Sequence, residues 1–280
     1  MSANTLAVSN IAWDADEERA VARELGLAGV RSVEIAPTKV FADPTNVADP
    51  ELNDYLDFWA DHGIGIVSFQ SMLFGRPDLA IFGEHDVRRA TVRRLVAFLN
   101  LAGRMGVSAL VFGSPRNRLL PQGASEESVW ATAVEVFGEL GRAARAAGTV
   151  LCIEPNPPQY GCDFVTTADA GARLVRDVDE PGFRLHLDAA GMTLAGDDVA
   201  EAIRGSRDVL RHYHVSAPDL APIEESTVDH VSAFRALREI GFDGHVSIEM
   251  RSLADGDATR RIVDAVSLTR RLAAAGGLEL

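Results

Sequence analysis

The chain has 280 residues, 47% hydrophobic and 24% charged, the proportions of a globular protein able to bury a sizeable core. Its formal charge of −14 argues against a partner recognised through its phosphate backbone, so no nucleic acid is expected, and no apolar run approaches membrane-spanning length. The start, Met1-Ser-Ala-Asn-Thr-Leu6, lacks the basic segment and apolar core of a secretory signal, which makes the cytoplasm the expected compartment; two cysteines, Cys152 and Cys162, are too few for a disulfide framework.

In chain order, Leu6–Ile11 reads as a first strand and Asp14–Leu25, closed by Gly26, as a helix with acidic residues in its first turns. Arg31–Ile35 is a second strand, ended by Ala36-Pro37, and a loop carrying Lys39 leads into a helix over about Pro50–His62. Ile64–Gln70 is the third strand. The loop that follows, Ser71–Glu84, is rich in Gly, Pro and Phe and long enough to suggest a functional rather than a connecting role. Asp86–Gly106 has apolar residues at helical spacing, Val107–Phe112 is a fourth strand, and Gly113–Arg118 is the loop after it.

A helix over Ser125–Ala147 delivers the chain to Thr149-Val-Leu-Cys-Ile-Glu154, a short apolar run with the character of a strand buried on both faces. It ends on a carboxylate. Three later segments share that design: Phe183–Asp188, Leu210–Val215 with His214 near its end, and His245–Met250 with Glu249. Helices are expected between and after them at Thr166–Val178, Asp197–Gly205, Asp229–Ile240 and Gly256–Ala275. Strict strand–helix alternation with short connections implies parallel strands with right-handed crossovers. Eight such units of about 30 to 35 residues predict one (β/α)8 TIM-barrel domain over residues 1–280. An open doubly wound sheet is the structural rival. It would carry a glycine-rich phosphate loop after the first strand, where this chain has Ala12-Trp13-Asp14.

In a barrel the C-terminal strand ends share one mouth, so Glu154, Asp188, His214 and Glu249 are expected to be neighbours. Three carboxylates and one imidazole suit a single hard divalent ion, Mn²⁺, Mg²⁺ or Co²⁺ before Zn²⁺, and without a cation the acids would repel one another or take up protons. His186 and His212 lie two residues before proposed ligands and share their strand faces, which fits a packed interior layer better than a ligand role. Lys39, Arg76, Arg116 and Arg118 occupy loops at the same end, so the rim either binds an anionic substrate or spends these cations on nearby acids such as Glu34 and Asp78. Trp13, Phe74 and Phe82 either wall the pocket or pack beneath its loops.

The segments Ile153-Glu154-Pro155-Asn156, Leu187-Asp188, Tyr213-His214-Val215-Ser216 and Ser247-Ile248-Glu249 resemble the xylose-isomerase-like TIM barrels, the sugar phosphate isomerase/epimerase superfamily. The resemblance implies one divalent metal held by Glu154, Asp188, His214 and Glu249. Glu154 and Glu249 would also be the catalytic pair, one removing the proton α to a carbonyl and the other returning a proton, through a cis-enediolate. Lys39, Gln70, Arg116, Arg118, Asn156 and His186 are the expected substrate contacts. The substrate would be a sugar or a sugar-derived hydroxy-carbonyl compound, phosphorylated and carboxylated forms included, and a homo-oligomer would be common among such relatives. A lyase, a dehydratase or a C-glycoside-cleaving enzyme would use the same enediolate, and a non-catalytic binding barrel stays open. The phosphodiesterase branch needs further ligands on strands 2 to 4, where this chain offers Glu34, Gln70 and Phe112. Ketose 3-epimerases carry a histidine, an arginine and a glutamate at positions that here are Gly191, Leu220 and Tyr160, so the sugar-reading shell differs.

Overall fold

The computed structural model describes residues 5–253 and 257–280. In chain order it contains β1 (Thr5–Ser9), α1 (Glu18–Leu27), β2 (Ser32–Ile35), α2 (Pro37–Val40), α3 (Asp49–Asp61), β3 (Gly65–Phe69), α4 (His85–Met105), β4 (Ala109–Phe112), α5 (Glu126–Ala146) and β5 (Leu151–Ile153). The second half continues with α6 (Ala168–Val178), β6 (Phe183–Asp188), α7 (Ala189–Ala195), α8 (Val199–Gly205), β7 (Leu210–Ser216), α9 (His230–Glu239), β8 (His245–Glu249) and α10 (Ala258–Gly276). The strands close into a parallel barrel in sequence order, with β1 pairing β8 through Thr5–His245 to Val8–Ile248. That is the (β/α)8 barrel expected from the alternation. Among the described residues no helix is long and apolar enough to cross a membrane.

Local sequence explains where the elements differ from expectation. The first helix runs past Gly26, because the residue that ends it by turning left-handed is Gly29, at φ 71°. Lys39 lies in α2, a single turn opened by Pro37 at a position that tolerates a missing N–H. Immediately after β6 comes α7, capped by Asp188 itself, whose Oδ1 accepts from the Gly191 N–H at 2.6 Å. Gly256, the expected start of the last helix, lies outside the described residues.

Side chains alternate along each strand, so one set fills the barrel and the other meets the helices. Leu185, Leu187, Tyr213, Val215, Val246 and Ile248 form part of the apolar layer, each fully buried. The inward set near the C-terminal end is polar: Ser9, Glu34, Ser68, His186, His212, His214 and Ser247 are all buried. Barrels usually fill this interior with branched apolar side chains. A polar interior carries a desolvation cost that hydrogen bonds must offset, which marks this end as built for chemistry.

Among the described residues, five of the six non-glycine residues with positive φ fall at the same end, Asp179 before β6 being the sixth. Ser71, Ser114, Val165, Asp219 and Leu220 have φ between 41° and 59° and lie in loops that follow β3, β4, β5 and β7. Val165 is the most demanding, since a β-branched residue rarely adopts this conformation. Arg118 braces it. This fully buried guanidinium donates to the Phe164 carbonyl at 2.9 Å, the Glu154 carbonyl at 2.6 Å and Asn156 Oδ1 at 2.7 Å, and reaches Val165 O at 3.5 Å.

Candidate metal centre

His214 is the centre of the site. Its Nε2 lies 2.9 Å from Glu34 Oε1, and its Nδ1 faces the mouth, 3.2 Å from Glu249 Oε2 and 3.9 Å from Asp188 Oδ2. Glu34 can only accept, so Nε2 keeps its proton whether or not the ring is charged, and a cation facing Nδ1 would take the place of the ring's second proton. That nitrogen is buried and makes no hydrogen bond among the described residues, its contact with Glu249 being one of charge. Asp188, His214 and Glu249 each place a ligand atom within 4.8 Å of the others, and Glu154, His186 and Asp188 form a second such group. These two groups share Asp188, and a third, of His186, His212 and His214, joins them through the imidazoles.

The electrostatics match. Burial raises the Glu154 carboxyl, and the charges of Glu249 and Asp188 push it further, to about 8. Asp188 rises to about 6 for the same reasons, although His214, Ser216 and the Gly191 N–H pull the other way. The ion-free site therefore takes up protons, and a divalent cation placed among these acids relieves the same repulsion. An orphaned imidazole nitrogen flanked by carboxylates is a donor set that fits such an ion. Gly113 at the end of β4 makes room: a Cβ there would lie 2.3 Å from Glu154 Oε2.

Glu34 holds the arrangement from below. It is fully buried on β2, and accepts from Ser68 Oγ at 2.7 Å and Gln70 Nε2 at 3.0 Å as well as from His214. His212 Nε2 is 3.1 Å from its Oε2 and Ser247 Oγ 3.4 Å from its Oε1. Desolvation alone would raise this carboxyl, but the His214 and His212 charges and hydrogen bonds outweigh it and hold Glu34 well below the usual range. Burial likewise disfavours the His214 imidazolium, yet Glu34 and Glu249 lift its pKa well above normal. A carboxylate behind a metal-facing histidine fixes the ring's tautomer and raises its basicity. From the sequence, Glu34 is expected only as a strand-2 end and a local acid for the rim cations, not as the partner of a buried histidine. The signal it offered was an acid alternating into the interior of a four-residue strand whose other members are all buried.

Several expected substrate contacts are committed elsewhere. Lys39 does not project to the rim: its ammonium is half-buried, bonded to the carbonyls of Asn10 and Trp13 and 5.8 Å from the Trp13 ring. Arg118 is the buried brace of the β5 loop, and Asn156 Oδ1 is its acceptor. Gln70 donates to Ser9 Oγ and Glu34 and accepts from Ser71, which leaves little of its amide for a ligand. Arg76 forms a bidentate pair with Asp78 at 2.8 and 2.6 Å. His186 is buried in the interior layer beside His212, their Nδ1 atoms 3.1 Å apart. Trp13 packs on Trp59 and Phe82 on Phe164 instead of walling the pocket.

Arg116 is the exception. It is exposed, with no ion pair among the described residues, and lines a cavity of about 490 Å³ together with Gln70, Phe74, Gly113 and Glu154. Of the four expected strand-end ligands, Glu154 is the one that lines this cavity. Phe74 stands at its edge, 79% exposed. Tyr160 occupies the β5 loop, where its hydroxyl accepts from the Asp219 N–H at 3.2 Å.

Comparison with known proteins agrees with this architecture. Residues 20–272 match the family model of the xylose isomerase-like TIM barrels. A D-psicose 3-epimerase of Ruminiclostridium cellulolyticum is 28% identical over 120 residues, 43% of this chain and 41% of that protein. An L-ribulose 3-epimerase of Methylomonas sp. is 24% identical over 246 residues, 85% of this chain and 82% of that protein. Among solved structures, the D-psicose 3-epimerase of Clostridium cellulolyticum H10 with D-tagatose superposes with a TM-score of 0.79 at 18% identity, over 96% of this chain and 99% of that one. The chain belongs to the xylose isomerase-like TIM barrel family.

Proposed function

We propose that this chain is a divalent-metal-dependent sugar epimerase or isomerase that moves a proton at a carbon next to a carbonyl. The observation that carries the reading is the bare, buried Nδ1 of His214, aimed between Asp188 and Glu249 with its other nitrogen held by Glu34. Glu154, Asp188, His214 and Glu249 would hold the ion, with Mn²⁺, Mg²⁺ and Co²⁺ matching the oxygen-rich set best. When bound, it supplies Lewis-acid polarisation of the substrate carbonyl and its neighbouring hydroxyl oxygen.

The proton chemistry belongs to the protein. Glu154 directly follows β5 and Glu249 ends β8, on either side of the residues from β6 and β7, so a sugar seated between them would present a different face to each. One carboxylate takes the proton from the carbon α to the carbonyl, leaving an enediolate, and the other carboxyl returns a proton to the opposite face. Buried Ser216, donating to Asp188 Oδ2 at 2.5 Å, and the Gly191 N–H on Oδ1 hold that carboxylate in place without taking part. The two related enzymes are named a D-psicose 3-epimerase and an L-ribulose 3-epimerase, and both sugars are ketoses, which supports a ketose or ketose-like substrate. Exposed and without an ion pair among the described residues, Arg116 at the cavity supports a substrate carrying an acidic group.

Incubation of metal-loaded protein with a panel of ketoses, their phosphates and sugar acids in D₂O tests the reading. The expected result is one solvent deuterium at the inverted carbon, lost in Glu154→Gln and in Glu249→Gln. Metal-loaded protein that exchanges no C–H bond in any member of the panel would contradict it, and an unsaturated or cleaved product would replace epimerisation with elimination.

A further inference from the structure

The interior histidines form a directed chain. Ser68 Oγ donates to Glu34 Oε2 at 2.7 Å and lies 3.1 Å from His212 Nε2, so with its one proton spent it can only accept there. Glu34 Oε2, 3.1 Å from the same nitrogen, also only accepts. His212 Nε2 therefore carries a proton, and a neutral His212 presents a lone pair at Nδ1. His186 Nδ1, 3.1 Å away, must then be the donor. That leaves His186 Nε2 as a bare lone pair, fully buried and with no hydrogen-bond partner among the described residues. A buried polar atom without a partner calls for an explanation, an ion included.

Its surroundings supply one. A ring nitrogen of His186 lies within 4.8 Å of carboxylate oxygens of both Glu154 and Asp188, and with Nδ1 spent on His212 the free nitrogen is Nε2. The His186 and His214 rings are neighbours, 4.1 Å between centroids and nearly perpendicular. Resting on the metal centre proposed above, we infer that His186 Nε2 is a second imidazole ligand of that ion. Glu34 then orients both histidines, His214 directly and His186 through His212. The centre becomes three carboxylates and two imidazoles, a set that shifts preference from Mg²⁺ toward Mn²⁺, Co²⁺ and Zn²⁺.

The test is a count of coordinated nitrogens, which needs no substrate. Pulsed EPR of the Mn²⁺-loaded wild-type protein should show hyperfine coupling to two coordinated histidine nitrogens, and His186→Gln should show one. Calorimetric titration of metal-free protein with Mn²⁺ should give a Kd weaker by about 10-fold or more in His186→Gln, with unchanged far-UV circular dichroism. One coordinated nitrogen in the wild type, or equal Kd values, would overturn the assignment while leaving the metal centre standing. If the variant does not fold, the wild-type count decides alone. Protein that binds no Mn²⁺ would overturn both this ligand and the centre it belongs to.

Discussion

Replacing Glu34 with Gln removes one charge and turns one acceptor into a donor, at a fully buried position 180 residues in sequence from His214. With its carbonyl oxygen at the Oε1 position, Gln keeps the contacts to Gln70, His214 and Ser247. Its amide NH₂ then faces Ser68 and His212. Ser68 can rotate to accept, but His212 presents its own N–H and can accept only by changing tautomer, which breaks its contact with His186. Hydrogen bonds to a charged group contribute about 1.5–3 kcal/mol against about 1 for neutral ones, and an unsatisfied buried donor costs about 1–3 kcal/mol. Weakening of the retained bonds plus one donor–donor conflict sums to about 3–5 kcal/mol of lost stability. Urea unfolding of the EDTA-treated protein, followed by far-UV circular dichroism, should show the midpoint falling by about 1 M or more at a slope near 3 kcal/mol per M. Metal affinity should fall by about 10–100-fold as His214 loses its orienting carboxylate. A midpoint within about 0.3 M of wild type would refute the view of Glu34 as the anion that organises this interior.

Glu154 and Asp188 have folded pKa values of about 8 and 6, above their ordinary 4.5 and 3.8. The native ion-free chain therefore holds more protons than the unfolded chain through that interval, and its stability should fall as pH rises from about 4 to 8. Saturating Mn²⁺ should flatten the slope; a metal-free protein equally stable at pH 5 and pH 8 would argue against crowded carboxyls. In Gly113→Ala, Glu154 must move aside for the new methyl, so melting temperature should change little while turnover drops at least 10-fold, measured by epimer formation; unchanged turnover would show that Glu154's position is not critical. Arg118→Met should leave the Glu154, Phe164 and Asn156 oxygens without their buried donor and destabilise the chain by about 3 kcal/mol, read from urea denaturation. Arg116→Ala should leave stability within about 0.5 kcal/mol and raise KM more for an acidic substrate than for its neutral analogue; an equal rise would remove the anion contact.

The barrel was legible in the sequence because short apolar runs alternate with helical periodicity throughout, and a closed parallel sheet follows from that order. Glu154, Asp188, His214 and Glu249 were legible for a related reason: each sits within two residues of the end of its strand, where topology alone makes it a neighbour of the others. Direction within loops was not legible. Lys39 and Arg118 lie at the site end as expected, but the turn of α2 sends one under β1's loop, and the strained Val165 loop folds back over the other. Glu34 was hidden because its partners come from β3, β7 and β8, and no local pattern reports a hydrogen bond across the barrel interior. For α7 the signal was present: Asp188 heads a turn closed by the Gly191 N–H, a cap that a metal-ligand reading of the same aspartate overlooks.

Elemental analysis of the purified protein, wild type beside a His214→Ala, Glu249→Ala double variant, decides whether the strand ends form a metal centre at all. About one equivalent of a divalent metal after Mn²⁺ or Co²⁺ incubation is predicted for the wild type, and none for the variant at unchanged circular dichroism. Wild-type protein that retains no ion under these conditions, or a variant that retains the full equivalent, would contradict it.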